Sequence, residues 1–272
     1  MVNLKNREEL ASSIIELVEL TEKLRSPEGC PWDREQTYAS VKMYLLEECY
    51  EAVDAIEKED YKEMCIELGD LLFMIVFLAQ LSHEKALFSM TDIIKNIVKK
   101  MKFRHPHVFG DMVVDNSEEV KENWQKLKMQ EKGDINKTAS SILEDVPLCL
   151  PALLRAHRLS NKASKSGFDW KTKEDVWEKV KEEFKELSDA IKDGEIDRVR
   201  EETGDLFFTL VNLARHWDFN SEELLRDANS KFVDRFKRME HELESSGIKP
   251  DEASYEDMNS AWDKIKKKTE SD

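Results

Sequence analysis

The sequence has little glycine and little cysteine for its length, with eight Gly and four Cys among 272 residues. Glycine supplies the left-handed backbone conformations of tight turns, so its scarcity favours long elements with few turns between them. The cysteines, Cys30, Cys49, Cys65 and Cys149, show no C-x-x-C spacing. The sequence therefore indicates neither a thiol-based site nor a disulfide framework.

Basic residues are also in deficit, because 42 Lys and Arg face 58 Asp and Glu and leave a formal net charge of −16. Proteins that bind nucleic acid or anionic membranes need a basic footprint. The charge balance thus argues against both classes of partner. A polyanionic substrate would have to arrive together with a metal ion.

Long apolar runs are missing as well. The longest is LLFMIVFLA at 71–79, which is far shorter than the roughly 20 residues of a membrane-spanning helix. The N-terminal segment MVNLKNREELASSIIELVEL is amphipathic and contains acidic residues, so it lacks the apolar core of a signal peptide. These features predict a soluble, cytoplasmic protein without a membrane partner.

What the sequence does contain is helical periodicity. Apolar residues recur at spacings of three and four, as at Val176, Val180, Phe184 and Leu187, and no stretch alternates as a strand does. We therefore expect an all-α protein, long enough for two domains. The segment 131–147 interrupts the pattern with Gly133, a polar cluster and Pro147, which predicts a linker between domains at 1–130 and 148–272.

One stretch, 182–205, places acidic pairs on two consecutive helices. Glu183 and Glu186 are three residues apart, as are Glu202 and Asp205, and the turn sequence KDGE separates the pairs. Residues at this spacing project from one face of a helix, so an antiparallel hairpin would bring the pairs together. Four carboxylates are the hard oxygen ligands that suit Mg²⁺ or Mn²⁺. The alternative is a solvated charged face compensated by nearby lysines.

The pattern occurs twice, which favours a metal site over a solvated face. The segment 45–80, LLEECYEAVDAIEKEDYKEMCIELGDLLFMIVFLAQ, aligns without a gap on 180–215, VKEEFKELSDAIKDGEIDRVREETGDLFFTLVNLAR. The acidic positions keep their register while the charges between them change. The acids of the first copy that match those of the second are Glu47, Glu48, Glu51, Glu67 and Asp70.

Cations recur downstream of both acidic hairpins, as phosphate binding requires. Pairs one helical turn apart are Lys231 with Arg235 and Lys100 with Arg104, and tryptophan-lysine pairs follow as Trp262 with Lys266 and Trp124 with Lys128. Such pairs are common on helix surfaces, so their recurrence carries more weight than any single pair. The two tryptophans fit either a core position or a platform for stacking a base.

Taken together, these residues resemble the MazG family of nucleoside triphosphate pyrophosphohydrolases. The motifs that carry the resemblance are GCPWD-x-x-QT (29–37), ELGDLLF (67–73), RHPHVF (104–109), LPALLRAHRL (150–159), GFDW (167–170), ETGDLFF (202–208) and N-x-KF-x-x-RF (229–236). The resemblance implies two tandem four-helix-bundle-like domains, a homodimer, and Mg²⁺-dependent conversion of NTPs or dNTPs to monophosphate and pyrophosphate, with Mn²⁺ as a substitute metal.

The resemblance also implies roles for individual residues. The metal ligands would be Glu183, Glu186, Glu202 and Asp205 in the second domain and Glu48, Glu51, Glu67 and Asp70 in the first. Nucleotide contacts would come from Lys179, Arg198, Lys231, Arg235, Trp262 and Lys266, and in the first domain from Arg104 and Lys128. As the catalytic base, which takes a proton from water, we consider Glu182 or Glu183 and their counterparts Glu47 or Glu48.

The sequence departs from the family pattern at Phe103, which stands where many relatives have a second arginine before HPHVF. The second repeat has the fuller set of cations, so we expect it to be the better site. Two other interpretations stay open. One is a non-enzymatic helical dimer that senses a metal or binds a partner, and the other is a narrower all-α relative acting on dUTP, dCTP or phosphoribosyl-ATP.

Overall fold

The structure, a computed structural model, describes residues 4–135 and 141–269. These residues form twelve helices and no strand, so the all-α expectation is confirmed. The chain divides into two compact units, Met1–Asn136 and Lys137–Asp272. They are called the first and the second unit below.

The first unit is built on a hairpin of its two long central helices. Its helices are α1 (Leu4–Arg25), α2 (Pro31–Glu35), α3 (Tyr38–Glu57), α4 (Tyr61–Glu84), α5 (Met90–Arg104), α6 (Pro106–Phe109) and α7 (Ser117–Ile135). Helix α3 packs along α4, α1 also packs on α4, and α5 contacts α4 and α7. Helix α7 continues into the segment 131–147 expected to be a linker, of which 136–140 lie outside the described residues.

The second unit repeats the central hairpin. Its helices are α8 (Ala152–Lys165), α9 (Lys173–Asp193), α10 (Ile196–His216), α11 (Ser221–Ser245) and α12 (Tyr255–Thr269). Helix α9 packs along α10, α8 packs on α10, and α11 packs against α12. The helices that carry the aligned acidic repeats are therefore α3 and α4 in one unit and α9 and α10 in the other.

Both hairpins begin at a threonine cap. The side chains of Thr37 and Thr172 accept hydrogen bonds from the third helical residue, Ser40 or Asp175, whose side chain in turn accepts from the threonine backbone N–H. This reciprocal arrangement satisfies two N–H groups that the helix leaves without partners. Each cap stabilises its helix by about 1 kcal/mol and sets the residue at which the acidic helix starts.

The turns inside the two hairpins have the same left-handed conformation but different residues. Gly194, which ends α9, has φ of 72°. The aligned residue in the first unit is Glu59, with φ of 54°. Only glycine adopts this region without steric penalty, so the first hairpin closes through a strained residue and the second does not.

In the first hairpin a buried apolar cluster lies near the open end, and the acids lie between it and the turn. Val41, Phe77 and Leu81 are buried together between α3 and α4. Phe77 follows Asp70 by seven residues, about 10 Å along the helix axis. This core holds the two helices in register, which fixes the relative position of the carboxylates beyond it.

Helix α4 also meets a simple length and composition test for a membrane span, with a mean hydropathy of 1.9 in its most apolar window and 22% of that window buried. It is the one helix of the described residues that does so. The core helix of a soluble protein passes the same test, so the observation is weak evidence for a membrane span.

Candidate metal and nucleotide site

In the second unit, three carboxylates from two helices converge. Glu183 lies on α9, and Glu202 and Asp205 lie one turn apart on α10. One carboxylate oxygen from each lies within 4.8 Å of the others. Glu183 is buried, with 6% of its surface exposed, whereas Asp205 is open to solvent. We call this cluster the second site.

The first unit holds the aligned residues in the same arrangement. Glu48 on α3 and Glu67 and Asp70 on α4 also have carboxylate oxygens within 4.8 Å of one another. Glu67 is nearly buried, at 9% exposure. We call this cluster the first site. The sequence repeat thus has a three-dimensional counterpart in each unit.

Mutual repulsion and burial disfavour the charged form of the carboxylates at both sites. Burial raises the pKa of Glu202, and the charge of Glu186 raises it further. Burial likewise raises the pKa of Glu48 and of Glu67, with contributions from the acids around them. A divalent cation held between the oxygens would remove this repulsion. The donor set, all carboxylate oxygens, fits Mg²⁺ or a similar hard ion.

The fourth predicted acid of each site lies at the edge of its cluster. Glu186 and Glu51 are not among the three converging carboxylates. Glu186 is close enough to raise the pKa of Glu202. Glu51 raises the pKa of Glu48 through its charge and through a shared hydrogen bond. Both residues therefore lie close enough to their clusters to interact with them electrostatically.

A lysine lies directly beside the second site. The Lys179 ammonium contacts Glu183 Oε1 at 2.8 Å and Glu182 Oε1 at 2.7 Å. Hydrogen bonds to these two carboxylates raise the pKa of Lys179, so it stays protonated. Glu182 is exposed and lies outside the three-carboxylate cluster. Lys179 precedes these acids by three and four positions on α9, so both contacts are those that helical spacing allows.

Arg198 brings a second cation near the same cluster. It is exposed and donates a hydrogen bond to Glu195 at 2.8 Å. Its charge lowers the pKa of Glu202, against the effects of burial and of Glu186. The second site is therefore an acidic cluster flanked by two cations.

The first site has neither cation. The residues that align with Lys179 and Arg198 are Tyr44 and Glu63. Tyr44 contacts the Trp32 ring at a centroid distance of 5.9 Å, and the charge of Glu63 raises the pKa of Glu67. Glu47, aligned with Glu182, is exposed and raises the pKa of Glu48. The first site therefore carries more uncompensated negative charge.

The other nucleotide-binding residues expected in the second unit lie on α11 and α12. Lys231 and Lys266 are exposed, and Trp262 is half-buried with its ring 5.5 Å from that of Phe232. The Nε atom of Arg235 is buried and has no hydrogen-bond partner. Within the described residues, Arg235 forms no ion pair.

In the first unit, by contrast, Arg104 is paired with a carboxylate. Its Nε donates to Glu131 Oε2 at 2.9 Å, and its Nη2 donates to the same oxygen. Its guanidinium also lies 5.4 Å from the centre of the Trp124 ring. Lys128 is half-buried on the same helix as these partners. No spacing rule links Arg104 to an acid 27 positions away, so the sequence analysis missed Glu131.

Comparison with known proteins identifies relatives over nearly the whole chain. The family model described as the MazG nucleotide pyrophosphohydrolase domain matches twice, at residues 36–109 and 171–239. Each match spans one acidic hairpin and the helix after it. The two matches together cover more than half of the chain.

Two curated relatives match at full length. The nucleoside triphosphate pyrophosphohydrolase/pyrophosphatase MazG of Thermotoga maritima is 46% identical over 92% of this chain and 94% of its own length. The nucleoside triphosphate pyrophosphohydrolase of Escherichia coli K12 is 41% identical over 94% of this chain and 98% of its own. A solved structure, a mazG-related protein from Thermotoga maritima, aligns over 42% of this chain at 25% identity with a TM-score of 0.37, which is too low to support an argument.

Proposed function

The chain belongs to the MazG nucleotide pyrophosphohydrolase family, and from that premise we propose that it hydrolyses nucleoside triphosphates to monophosphates and pyrophosphate. The observation that carries the proposal is the convergence of three carboxylates from a helical hairpin, found in both units. Such a cluster is suited to metal-assisted phosphoryl chemistry. The substrates are NTPs or dNTPs.

We propose Mg²⁺ as the metal, with Mn²⁺ as a substitute, because both prefer oxygen ligands. Glu183, Glu202 and Asp205 would hold it in the second unit, with Glu186 completing the set, and Glu48, Glu51, Glu67 and Asp70 would do so in the first. The bound ion would offset the repulsion between the acidic cluster and the triphosphate and acidify a coordinated water.

Glu182 is our candidate for the residue that accepts the proton of the attacking water. It lies outside the three converging carboxylates, so it is less committed to metal binding than Glu183. Lys179 holds its carboxylate at 2.7 Å and so fixes its orientation. A positioned carboxylate of this kind contributes to attack at the α-phosphorus as a general base.

The cations of the second unit would bind the substrate's phosphates. Lys231 and Arg235 lie one turn apart on α11 and would neutralise the charge that develops on the leaving pyrophosphate. Trp262 offers an aromatic face to the base, and Lys266 follows it by one turn on α12. Arg198 would also contact phosphates, and Lys179 would do so with its remaining N–H donor while it keeps its hydrogen bond to Glu182.

We also propose that the protein works as a homodimer in the cytoplasm, where nucleotides are available. Both hairpins expose apolar side chains that a monomer would leave in water. These include Leu72 and Ile75 on α4 and Phe207 and Leu210 on α10. A second copy packed on these helices would bury them.

The test is product analysis by phosphorus NMR of the protein with Mg²⁺ and a panel of NTPs and dNTPs in ¹⁸O-enriched water. We expect pyrophosphate and monophosphate, with the label in the monophosphate only, because water attacks the α-phosphorus. Label in pyrophosphate, or release of orthophosphate, would contradict the proposal. Turnover that Glu186→Gln leaves unchanged in a folded chain whose first site is disabled by Asp70→Asn would contradict the assignment of the second site.

A further inference from the structure

Arg104 ends α5, the helix that follows the acidic hairpin of the first unit and packs on α4. Its aligned counterpart, Arg235, would bind pyrophosphate under the function proposed above. A guanidinium binds phosphate and carboxylate through the same planar set of N–H donors. A carboxylate already bound to Arg104 therefore takes up donors that a phosphate would need.

Glu131 supplies that carboxylate. Two N–H groups of Arg104 converge on one Glu131 oxygen, and only 12% of the Arg104 side chain is exposed. The centre of the Trp124 ring lies 5.4 Å from the Arg104 guanidinium and 4.8 Å from the centre of the His105 ring. His105 is itself held by a hydrogen bond between Nδ1 and the Met101 carbonyl at 2.7 Å.

The second unit differs at each of these points. Arg235 has no carboxylate partner among the described residues, and its Nε has no hydrogen-bond partner. The Trp262 ring lies beside Phe232, and no arginine among the described residues lies over it. Arg104 is thus paired with Glu131 and lies over Trp124 in the first unit, whereas Arg235 has no carboxylate partner in the described part of the second unit.

We infer that Glu131 is an internal competitor for phosphate at the first site. It neutralises Arg104 while no nucleotide is bound, and a triphosphate must displace it to gain the arginine. The inference rests on the proposed function, because it assigns Arg104 to phosphate binding. It concerns nucleotide affinity only, since Glu131 does not belong to the metal cluster of Glu48, Glu67 and Asp70.

The experiment isolates the first site in the full-length chain. Asp205→Asn and Lys231→Ala, two exposed positions, disable the second site, and Glu131→Gln is added to this background. Binding of ATP is measured by isothermal titration calorimetry with Ca²⁺ in place of Mg²⁺ to slow turnover. Mn²⁺ binding without nucleotide is measured by electron paramagnetic resonance.

We expect Glu131→Gln to tighten ATP binding at the first site about tenfold, because binding no longer has to break the ion pair. Mn²⁺ affinity should stay unchanged. The gain should disappear when Arg104→Ala is added. Glu118→Gln removes the same charge from an exposed position of α7 without touching Arg104, so it should leave ATP affinity unaltered.

Unchanged or weaker ATP binding in a folded Glu131→Gln variant, checked by circular dichroism, would overturn the inference and make the ion pair structural. An equal gain with Glu118→Gln would overturn it too, because the effect would then be one of net charge. The chain with an intact second site is the reference for the proposed function. If that chain binds ATP and Glu131→Gln gains nothing, only the role of Glu131 fails.

Discussion

The two units hold the same three carboxylates at the same spacing, but the charges around them differ. Lys179 and Arg198 flank the second site, and Tyr44 and Glu63 occupy the aligned positions of the first. Metal geometry depends on the hairpin, which both units share. The affinity for a polyanion depends on the residues around the hairpin, which have diverged.

Because of this difference, the two sites compensate the charges of a bound metal ion and a bound triphosphate differently. At the first site, only a cation can relieve the repulsion that raises the pKa of Glu48 and Glu67. At the second site, Lys179 already pairs with Glu183. A metal ion alone would therefore add to a positive charge already present, whereas a metal ion bound together with a triphosphate would not. We therefore expect the first site to bind bare metal more tightly and the second to bind metal-nucleotide more tightly.

The largest expected effect comes from removing one metal ligand in each unit. Asp205→Asn should lower kcat/KM by about 10²-fold or more, because the second site carries the available phosphate-binding cations. The matched change Asp70→Asn should lower it far less. Steady-state assays of pyrophosphate release measure both. Equal losses would show that the two sites contribute alike to turnover.

A smaller effect is expected at the lysine of the second site. Lys179→Met should raise Mn²⁺ affinity at that site about three- to tenfold, since Glu183 loses its internal cation. The same change should lower kcat/KM, because Glu182 loses the group that orients it. Mn²⁺ titrations followed by electron paramagnetic resonance give the affinity. Tyr44→Lys in the first unit is the mirror control and should weaken metal binding there.

The hairpin turns allow the comparison to be tested without touching either site. Gly194→Ala should destabilise the second hairpin by about 1 kcal/mol, because a Cβ is unfavourable at φ of 72°. Glu59→Gly should stabilise the first hairpin by about 0.5 kcal/mol, since it relieves the strain at φ of 54°. Hydrogen exchange of peptides from each hairpin separates the two effects. A change of the same sign in both would contradict the assignment of strain.

The smallest effect is the pH dependence of stability without metal. Glu48 and Glu67 have pKa values raised above 4.5, so they bind protons more readily in the folded chain than in the unfolded one. The free energy of unfolding should therefore fall as pH rises from about 4.5 through the raised values. The acids with lowered pKa, such as Glu84 and Asp169, act in the opposite sense below that range.

Thermal melts in EDTA between pH 5 and 7 measure this trend. Glu67→Gln should flatten it more than Glu202→Gln does, because two raised acids interact in the first site and Glu202 is partly compensated by Arg198. Added Mg²⁺ should stabilise the protein more at pH 7 than at pH 5. Burial lowers the pKa of His157, which acts in the opposite sense over the same range, so the trend is judged from the difference between the parent chain and Glu67→Gln. A difference in stability that does not fall from pH 5 to 7 would contradict the assignment of these shifts.

Much of the fold follows from local sequence patterns. The spacing of Val176, Val180, Phe184 and Leu187 predicts a helix, and α9 contains all four. Helix periodicity is a local property and depends on few distant contacts. The end of α7 was harder to predict, since the helix continues to Ile135 through Gly133. A glycine lowers helix stability by only about 1 kcal/mol, which neighbouring residues offset.

The candidate sites also have some features that follow from local sequence and others that depend on tertiary packing. The sequence by itself determined the carboxylate pairs. A spacing of three residues places Glu202 and Asp205 on one helix face, and the repeat has the same spacing in both units. Only the tertiary structure decided which charged residues on different helices form pairs. A spacing of four on α9 also accounts for the contact of Lys179 with Glu183, whereas the pairing of Arg104 on α5 with Glu131 on α7 depends on helix packing that no spacing specifies. Residues distant in sequence meet only when the helices pack, and their charges then distinguish two sites with the same ligands.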